Sequence, residues 1–395
     1  MTLELGKIAD QVTAMGASAA QRAEERAAIV PEILKLLREH AGDAELRAKV
    51  DAAIKAGWSG AVPTAEPLDA VFDPPALPER VTIVATDGSQ IYPDRHSLAL
   101  YYVINVGSFV LRLGTSETPI TESSPIVCFD DERLYGEDEY PVSGQVINAR
   151  RAVAEMAQLA RLAVEEAKQA PTVALSDANI ALRVKQEGIP AAEGRQLEAD
   201  YIAQLDRLQS ARAPLAGFVS RPGATSVVRL AQLATFALDE VAERVKNSSR
   251  PFGGLGDTPV FAALLGPGQR SAVFELASQW GKPYKDAGHA IHFFYVNAGT
   301  PARAVIARVE VPEWVASDRQ RLGLAHAAVV DQCGITGIAY PYVLTRADEL
   351  AVITTAEKAN FEQMIGVEML RHGVGQVGPS EKAATKAMAR YGRKR

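Results

Sequence analysis

Apolar positions change their period several times along this chain, and each change marks a predicted element. Residues 5–57 carry a helical pattern. In its last part Asp43 can cap a helix that places Leu46, Val50 and Ile54 at four-residue spacing. Residues 59–80 interrupt the pattern with Pro63, Pro67, Pro74, Pro75 and Pro78, which predicts an extended connector. The β-branched run Val81-Thr82-Ile83-Val84-Ala85 predicts a buried strand leading into a turn at Asp87. Residues 97–105 and 108–113 predict a hairpin around Asn105-Val106-Gly107-Ser108. A helix over 146–169 places Val153, Met156, Ala157, Ala160 and Val164 on one face, and a strand over 171–175 follows it.

A polar, helical excursion covers 186–212, and Leu215–Val219 reads as another strand. Residues 226–246 predict a helix burying Val227, Leu230, Leu233, Ala234 and Leu238. The last third adds strands at His292–Asn297 and Ala304–Val311, then helices at about 317–332 and 346–371. Strands interleaved with helices argue for a mixed α/β sheet rather than a bundle. The segmentation is therefore an N-terminal helical segment (1–58), a proline-rich connector (59–80), a main domain (81–371) and a basic tail (372–395).

At 395 residues, 47% apolar and 23% charged, the chain can bury a substantial core. A formal net charge of −6 excludes a globally basic nucleic-acid binder, so contact with nucleic acid has to come from local patches. Cys128 and Cys333 are the only cysteines and form no C-x-x-C pair, which argues against a disulfide framework or structural zinc and fits a reducing cytoplasm. Met1–Leu5 shows no secretion-signal pattern, and no run approaches the roughly 18 apolar residues of a membrane span. The expectation is a soluble, cytoplasmic protein.

The chemistry concentrates on carboxylates. Asp87-Gly88-Ser89 follows the first strand, and Ser176-Asp177-Ala178-Asn179 follows the strand at 171–175. Two strand-end aspartates, distant in sequence, are what a divalent metal site needs; ordinary turn or helix-cap aspartates are the alternative. Glu155 lies four residues after Arg151, where an ion pair along the helix explains it equally well. Asp257, after Gly253-Gly254-Leu255-Gly256, suits either a ligand or the cap of the helix that follows it. That glycine-rich stretch lacks the lysine of a phosphate-binding loop. His289 and His292 are spaced for opposite faces of a strand, and His326 reads as a satisfied helix residue. The tail cations Lys382, Lys386, Arg390, Arg393, Lys394 and Arg395 are either solvated or in contact with phosphate.

Taken in order, the landmarks resemble the NurA family of DNA-end-processing nucleases. They are Asp87-Gly88-Ser89, Arg151 and Glu155, Asp177, Gly256-Asp257, Leu264-Leu265-Gly266-Pro267-Gly268-Gln269-Arg270-Ser271, Arg308-Val309-Glu310-Val311-Pro312-Glu313-Trp314-Val315 and Tyr340-Pro341-Tyr342. The resemblance spans roughly residues 80–360. It implies an RNase H-like α/β core, a toroidal homodimer, manganese-dependent cleavage of DNA and a HerA-type hexameric ATPase as partner. By position it makes Asp87, Glu155 and Asp177 the catalytic metal ligands, with Asp257 as a further ligand. Hard oxygen donors of this kind suit Mn²⁺ or Mg²⁺. Arg221 and Arg270 are candidate contacts to DNA phosphates, because guanidinium matches phosphate bidentately.

Three positions depart from the family pattern. Asp177-Ala178-Asn179-Ile180 stands where members usually read Asp-Gly-Ser-Leu, and Ser220 precedes Arg221 at a position that is usually basic. After Tyr-Pro, members usually carry an Ala-His pair, whereas this chain has Ala347-Asp348. Asp348 can offer oxygen to a hard cation but cannot act as a neutral imidazole near pH 7. The reading is a metal-dependent DNA nuclease acting in end processing; the alternative is a catalytically impaired subunit that serves as a DNA channel or docking partner of a ring ATPase.

Overall fold

The computed structural model describes residues 4–95, 97, 99–136, 140–185, 188–247 and 251–374, so the tail cations at 382–395 lie outside the described residues. The chain begins with α1 (Ala9–Glu39), α2 (Ala44–Lys55), β1 (Gly60–Pro63), β2 (Val71–Phe72) and β3 (Val81–Ile91). Next come β4 (Tyr102–Leu113), β5 (Ile120–Cys128), the single turn α3 (Asp131–Leu134), α4 (Gly144–Glu166), β6 (Thr172–Ser176) and α5 (Ala191–Ser210). β7 (Leu215–Val219), α6 (Ser226–Ala234), α7 (Val241–Asn247), α8 (Asp257–Leu264), β8 (Arg270–Ser271) and β9 (Phe274–Ala277) follow. The remainder is α9 (Lys282–Asp286), β10 (Ile291–Asn297), β11 (Ile306–Pro312), α10 (Glu313–Ala316), α11 (Arg319–Thr336), α12 (Tyr342–Ala351) and α13 (Thr355–Arg371).

Two compact units divide the chain. One holds Pro78–Asp177, Leu182–Ala213 and Tyr342–Arg395; the other holds Met1–Leu77, Ala178–Ala181 and Pro214–Pro341. In the first unit β3 pairs antiparallel with β4, β4 pairs antiparallel with β5, and β3 runs parallel to β6 from Thr82↔Thr172 to Thr86↔Ser176. An antiparallel meander followed by a crossover helix and a parallel strand is the arrangement of an RNase H-like core. The uncharged β-branched run at the start of β3 fits its position, since Val81 through Ala85 are all buried.

Two expectations fail here for one reason. β3 does not turn at Asp87 but continues to Ile91, and β4 runs unbroken through Asn105–Ser108 where a hairpin was expected. Gly107 is not a turn glycine. Its missing side chain lets α12 lie against β4, for an added Cβ would stand 2.3 Å from the Ala347 carbonyl oxygen and 2.4 Å from the Ala351 nitrogen. Asn105 Nδ2 donates to the carbonyls of Leu350 and Ala351 and fixes the same contact. Because backbone atoms cannot swing aside, Gly107→Ala should destabilise the protein by about 1–3 kcal/mol or more. A denaturant midpoint equal to wild type would refute this packing. The helix expected over 346–371 is likewise two helices: α12 ends at Ala351, and Thr354 with Glu357 forms a capping box that starts α13.

In the second unit β11 lies between β10 and β7, with every pairing antiparallel. The stretch 59–80, expected as a connector, supplies β1, which pairs with β9, and β2, which pairs with β8. Asp43 caps α2 as expected, accepting from the Glu45 amide at 2.8 Å. The lower half of α1 and all of α2 are core elements: Val30, Ile33, Leu37, Leu46, Val50 and Ala53 pack in one cluster with Phe261, Phe274, Phe293 and Tyr295. The helix expected over 226–246 breaks into α6 and α7, leaving Leu238 exposed between them. Among the described residues no helix is long and apolar enough to cross a membrane.

Candidate active site

Asp87 sits inside β3 opposite Gly107, and its side chain faces α12. Its Oδ1 accepts from the Gly88 amide at 2.7 Å. Asp348, on α12, lies close enough to Asp87 for its carboxylate to act on it. Since Thr86 lies beside Ser176 in the parallel pair, Asp177, the residue just past the end of β6, comes near Asp87 on β3. Ser89 follows two residues on along β3 and donates to the Ala351 carbonyl, so it too holds α12 in place.

Glu155 approaches from the other side of β3, on α4. Gly88 makes the approach possible: a Cβ there would lie 2.3 Å from Glu155 Oε1 and 3.0 Å from Arg151 Cγ. Thr86 Oγ1 donates to the Glu155 carbonyl at 3.1 Å and anchors the helix at the same level. Glu155 Oε1 lies 3.0 Å from Arg151 Nε, so the ion pair expected from their spacing is present. The two are nevertheless misaligned, and both atoms are buried without a hydrogen bond.

The carboxylates act on one another. Burial pushes Asp87 up to about 6 against the pull of the Gly88 amide, and the charges of Asp177 and Asp348 push the same way. Burial likewise lifts Glu155 to about 7; the Arg151 guanidinium opposes the rise, and Asp87 and Asp177 add to it. Asp87, Glu155, Asp177 and Asp348 thus form one electrostatic neighbourhood, with Asp177 and Asp348 on its solvent side. Among the described residues no group of three or more His, Cys, Asp or Glu side chains is drawn into ligand geometry. Like charges without a cation between them stand apart. The donor set nevertheless fits a hard divalent ion, because it is all oxygen and includes a buried, unbonded carboxylate oxygen.

The remaining candidates belong to the second unit, and all of them but Arg221 have other occupations. Asp257 is completely buried and caps a helix, but α6 rather than the helix that follows it. Its carboxylate accepts from the Val227 amide at 3.1 Å, the Val228 amide at 2.9 Å and the Tyr295 hydroxyl at 2.6 Å. Arg270 is also buried: it binds Glu66 bidentately, with both contacts at 2.9 Å, and lies 4.0 Å from the centre of the Phe72 ring. Those contacts, not phosphate, occupy its guanidinium. Arg221 is exposed and available to solvent. His326 Nε2 donates to the Gly268 carbonyl at 2.8 Å within the core, and burial pushes the imidazole down to about 4. His292 is buried as well, with Nδ1 3.1 Å from the Ala290 carbonyl.

An RNase H-like core with carboxylates on β3 and just past the end of β6 defines the class of fold. The NurA domain model matches residues 81–353, most of the chain, and the chain belongs to the NurA family. No curated protein matches it. Among solved structures it is similar to the NurA nuclease from Sulfolobus solfataricus, at 14% identity and a TM-score of 0.46, covering 96% of this chain and 100% of that one. A second NurA crystal structure is 11% identical with a TM-score of 0.38, covering 88% and 97%. The catalytic domain of human Endonuclease V is 16% identical with a TM-score of 0.31, covering 81% and 96%.

Proposed function

We propose that the chain is a Mn²⁺- or Mg²⁺-dependent deoxyribonuclease acting in DNA end processing. The observation that carries the metal reading is Glu155 Oε1, buried without a hydrogen bond beside the carboxylates of Asp87 and Asp177. Asp87, Glu155 and Asp177 would hold the ion, with Asp348 as an oxygen ligand at the position where the family usually carries histidine. Bound metal supplies an activated water and neutralises charge developing on the phosphate. The chain's own contribution is placement: β3 carries one carboxylate and the end of β6 brings a second near it, Gly88 admits the third, and Gly107 admits α12 with the fourth. Arg221 is the remaining candidate for a phosphate contact, being exposed.

Calorimetric titration of the purified chain with MnCl₂, combined with a cleavage assay on labelled DNA, tests this reading. Metal binding with metal-dependent cleavage is the expected result. Binding of metal without cleavage would favour an impaired subunit, and absence of both would remove the metal site.

The family also supports a homodimer partnered by a HerA-like hexameric ATPase. Residues 9–25 of α1 are exposed on every side, and Leu5, Val12 and Met15 stand in solvent, so this segment buries little within its own chain. Light scattering should give a dimer at tens of micromolar. A monomer would remove the dimer, whereas a dimer unchanged by deleting residues 1–28 would remove only the part given to α1.

A further inference from the structure

A polar strip runs from Glu155 along the groove between β3 and α4. Positions 88, 90 and 92 fall on one side of the extended chain, and positions 148, 151 and 155 fall on one face of α4. Arg151 Nη1 donates to the Gly88 carbonyl at 3.1 Å and to Gln90 Oε1 at 2.9 Å. Gln90 Nε2 donates to the Tyr92 hydroxyl at 2.8 Å, and that hydroxyl donates to Asn148 Oδ1 at 2.6 Å. The chain of bonds holds the Tyr92 ring in one orientation while 43% of the residue stays exposed. Gly144 backs the ring, since a Cβ there would lie 3.3 Å from it. The Arg151 side chain stays 31% exposed beside the carboxylates.

A fixed, exposed aromatic ring bridged by Gln90 to a partly exposed guanidinium is the pairing that takes a nucleotide: base on the ring, phosphate on the arginine. We propose that this strip binds a single-stranded nucleotide adjoining the phosphate that is cut, with its base stacked on Tyr92 and its phosphate on Arg151. The commitment to a single strand follows from the ring, which needs an unstacked base. Nothing in the hydrogen-bond chain requires an exposed aromatic, because Gln90 and Asn148 could pair directly or with water. The inference rests on the nuclease reading above.

Fluorescence anisotropy with a labelled single-stranded oligothymidylate, in chelator so that no cleavage occurs, tests the site without the metal. Tyr92→Ala should weaken binding about tenfold, while Tyr92→Phe keeps the wild-type affinity. A hydrogen-bonding role would reverse the second result, because phenylalanine removes both bonds of the hydroxyl. Arg151→Gln should lower the slope of log affinity against log salt by about 0.7, the loss of one phosphate contact on a single strand. Wild-type affinity in Tyr92→Ala, loss in Tyr92→Phe, or an unchanged slope in Arg151→Gln would each overturn the assignment while leaving the nuclease reading intact. A wild-type chain that neither binds nor cuts DNA would overturn both.

Discussion

Asp87→Ala is expected to abolish DNA cleavage while leaving the metal-free thermal midpoint at neutral pH unchanged or slightly raised. Burial and neighbouring carboxylates hold Asp87 at about 6 and Glu155 at about 7, above their ordinary values of 3.8 and 4.5. A carboxyl whose pKa rises on folding binds more protons in the native chain than in the unfolded one. These two groups therefore cost nothing below about pH 4. Their cost in stability grows as pH climbs through about 4 to 7 and then levels off. In chelator the wild type should unfold at a lower temperature at pH 8 than at pH 5, and the variant should show a smaller difference. Gly88→Ala reaches the same chemistry by another route. Its Cβ would meet the end of a flexible side chain, so the Glu155 carboxylate yields rather than the fold. Activity should drop about 100-fold, the scale of a displaced reacting group, with little change in midpoint. Cleavage at the wild-type rate by Asp87→Ala would dismiss the site.

Asp257→Ala should do the opposite, taking stability rather than chemistry. It strips the Val227 and Val228 amides and the Tyr295 hydroxyl of their acceptor in a place with no access to solvent. Each buried group left unsatisfied costs roughly 1–3 kcal/mol, so a loss of about 3 kcal/mol or more is expected. Asp257→Asn should lose less, since its carbonyl oxygen still accepts. Urea unfolding of the metal-free protein measures both. If Asp257→Ala unfolds like wild type and instead loses metal affinity, the capping role is wrong.

The order of strands and helices was legible in the sequence because period-two and period-3.6 burial leave local marks. Asp43 as a cap and Val81–Ala85 as a buried strand needed no more than neighbouring residues. The choice of Asp87, Glu155 and Asp177 came instead from the family resemblance, which their order along the chain helps to carry. What the sequence could not supply was the partner of each glycine and each charge. Gly107 looks like a turn residue until α12, some 240 residues later, is seen lying against it. A glycine inside an apolar run was the available signal, but it does not say which element approaches. Asp257 and Arg270 looked like a ligand and a phosphate contact because both residue types do such work. Only the fold buries them against the α6 amides and Glu66, where long-range packing fixes their function. Helix breaks at Leu238 and before Thr354 were likewise decided by capping and by what each face could bury. Local pattern determined which elements form; close contact between distant segments determined which charges remain free to meet a substrate.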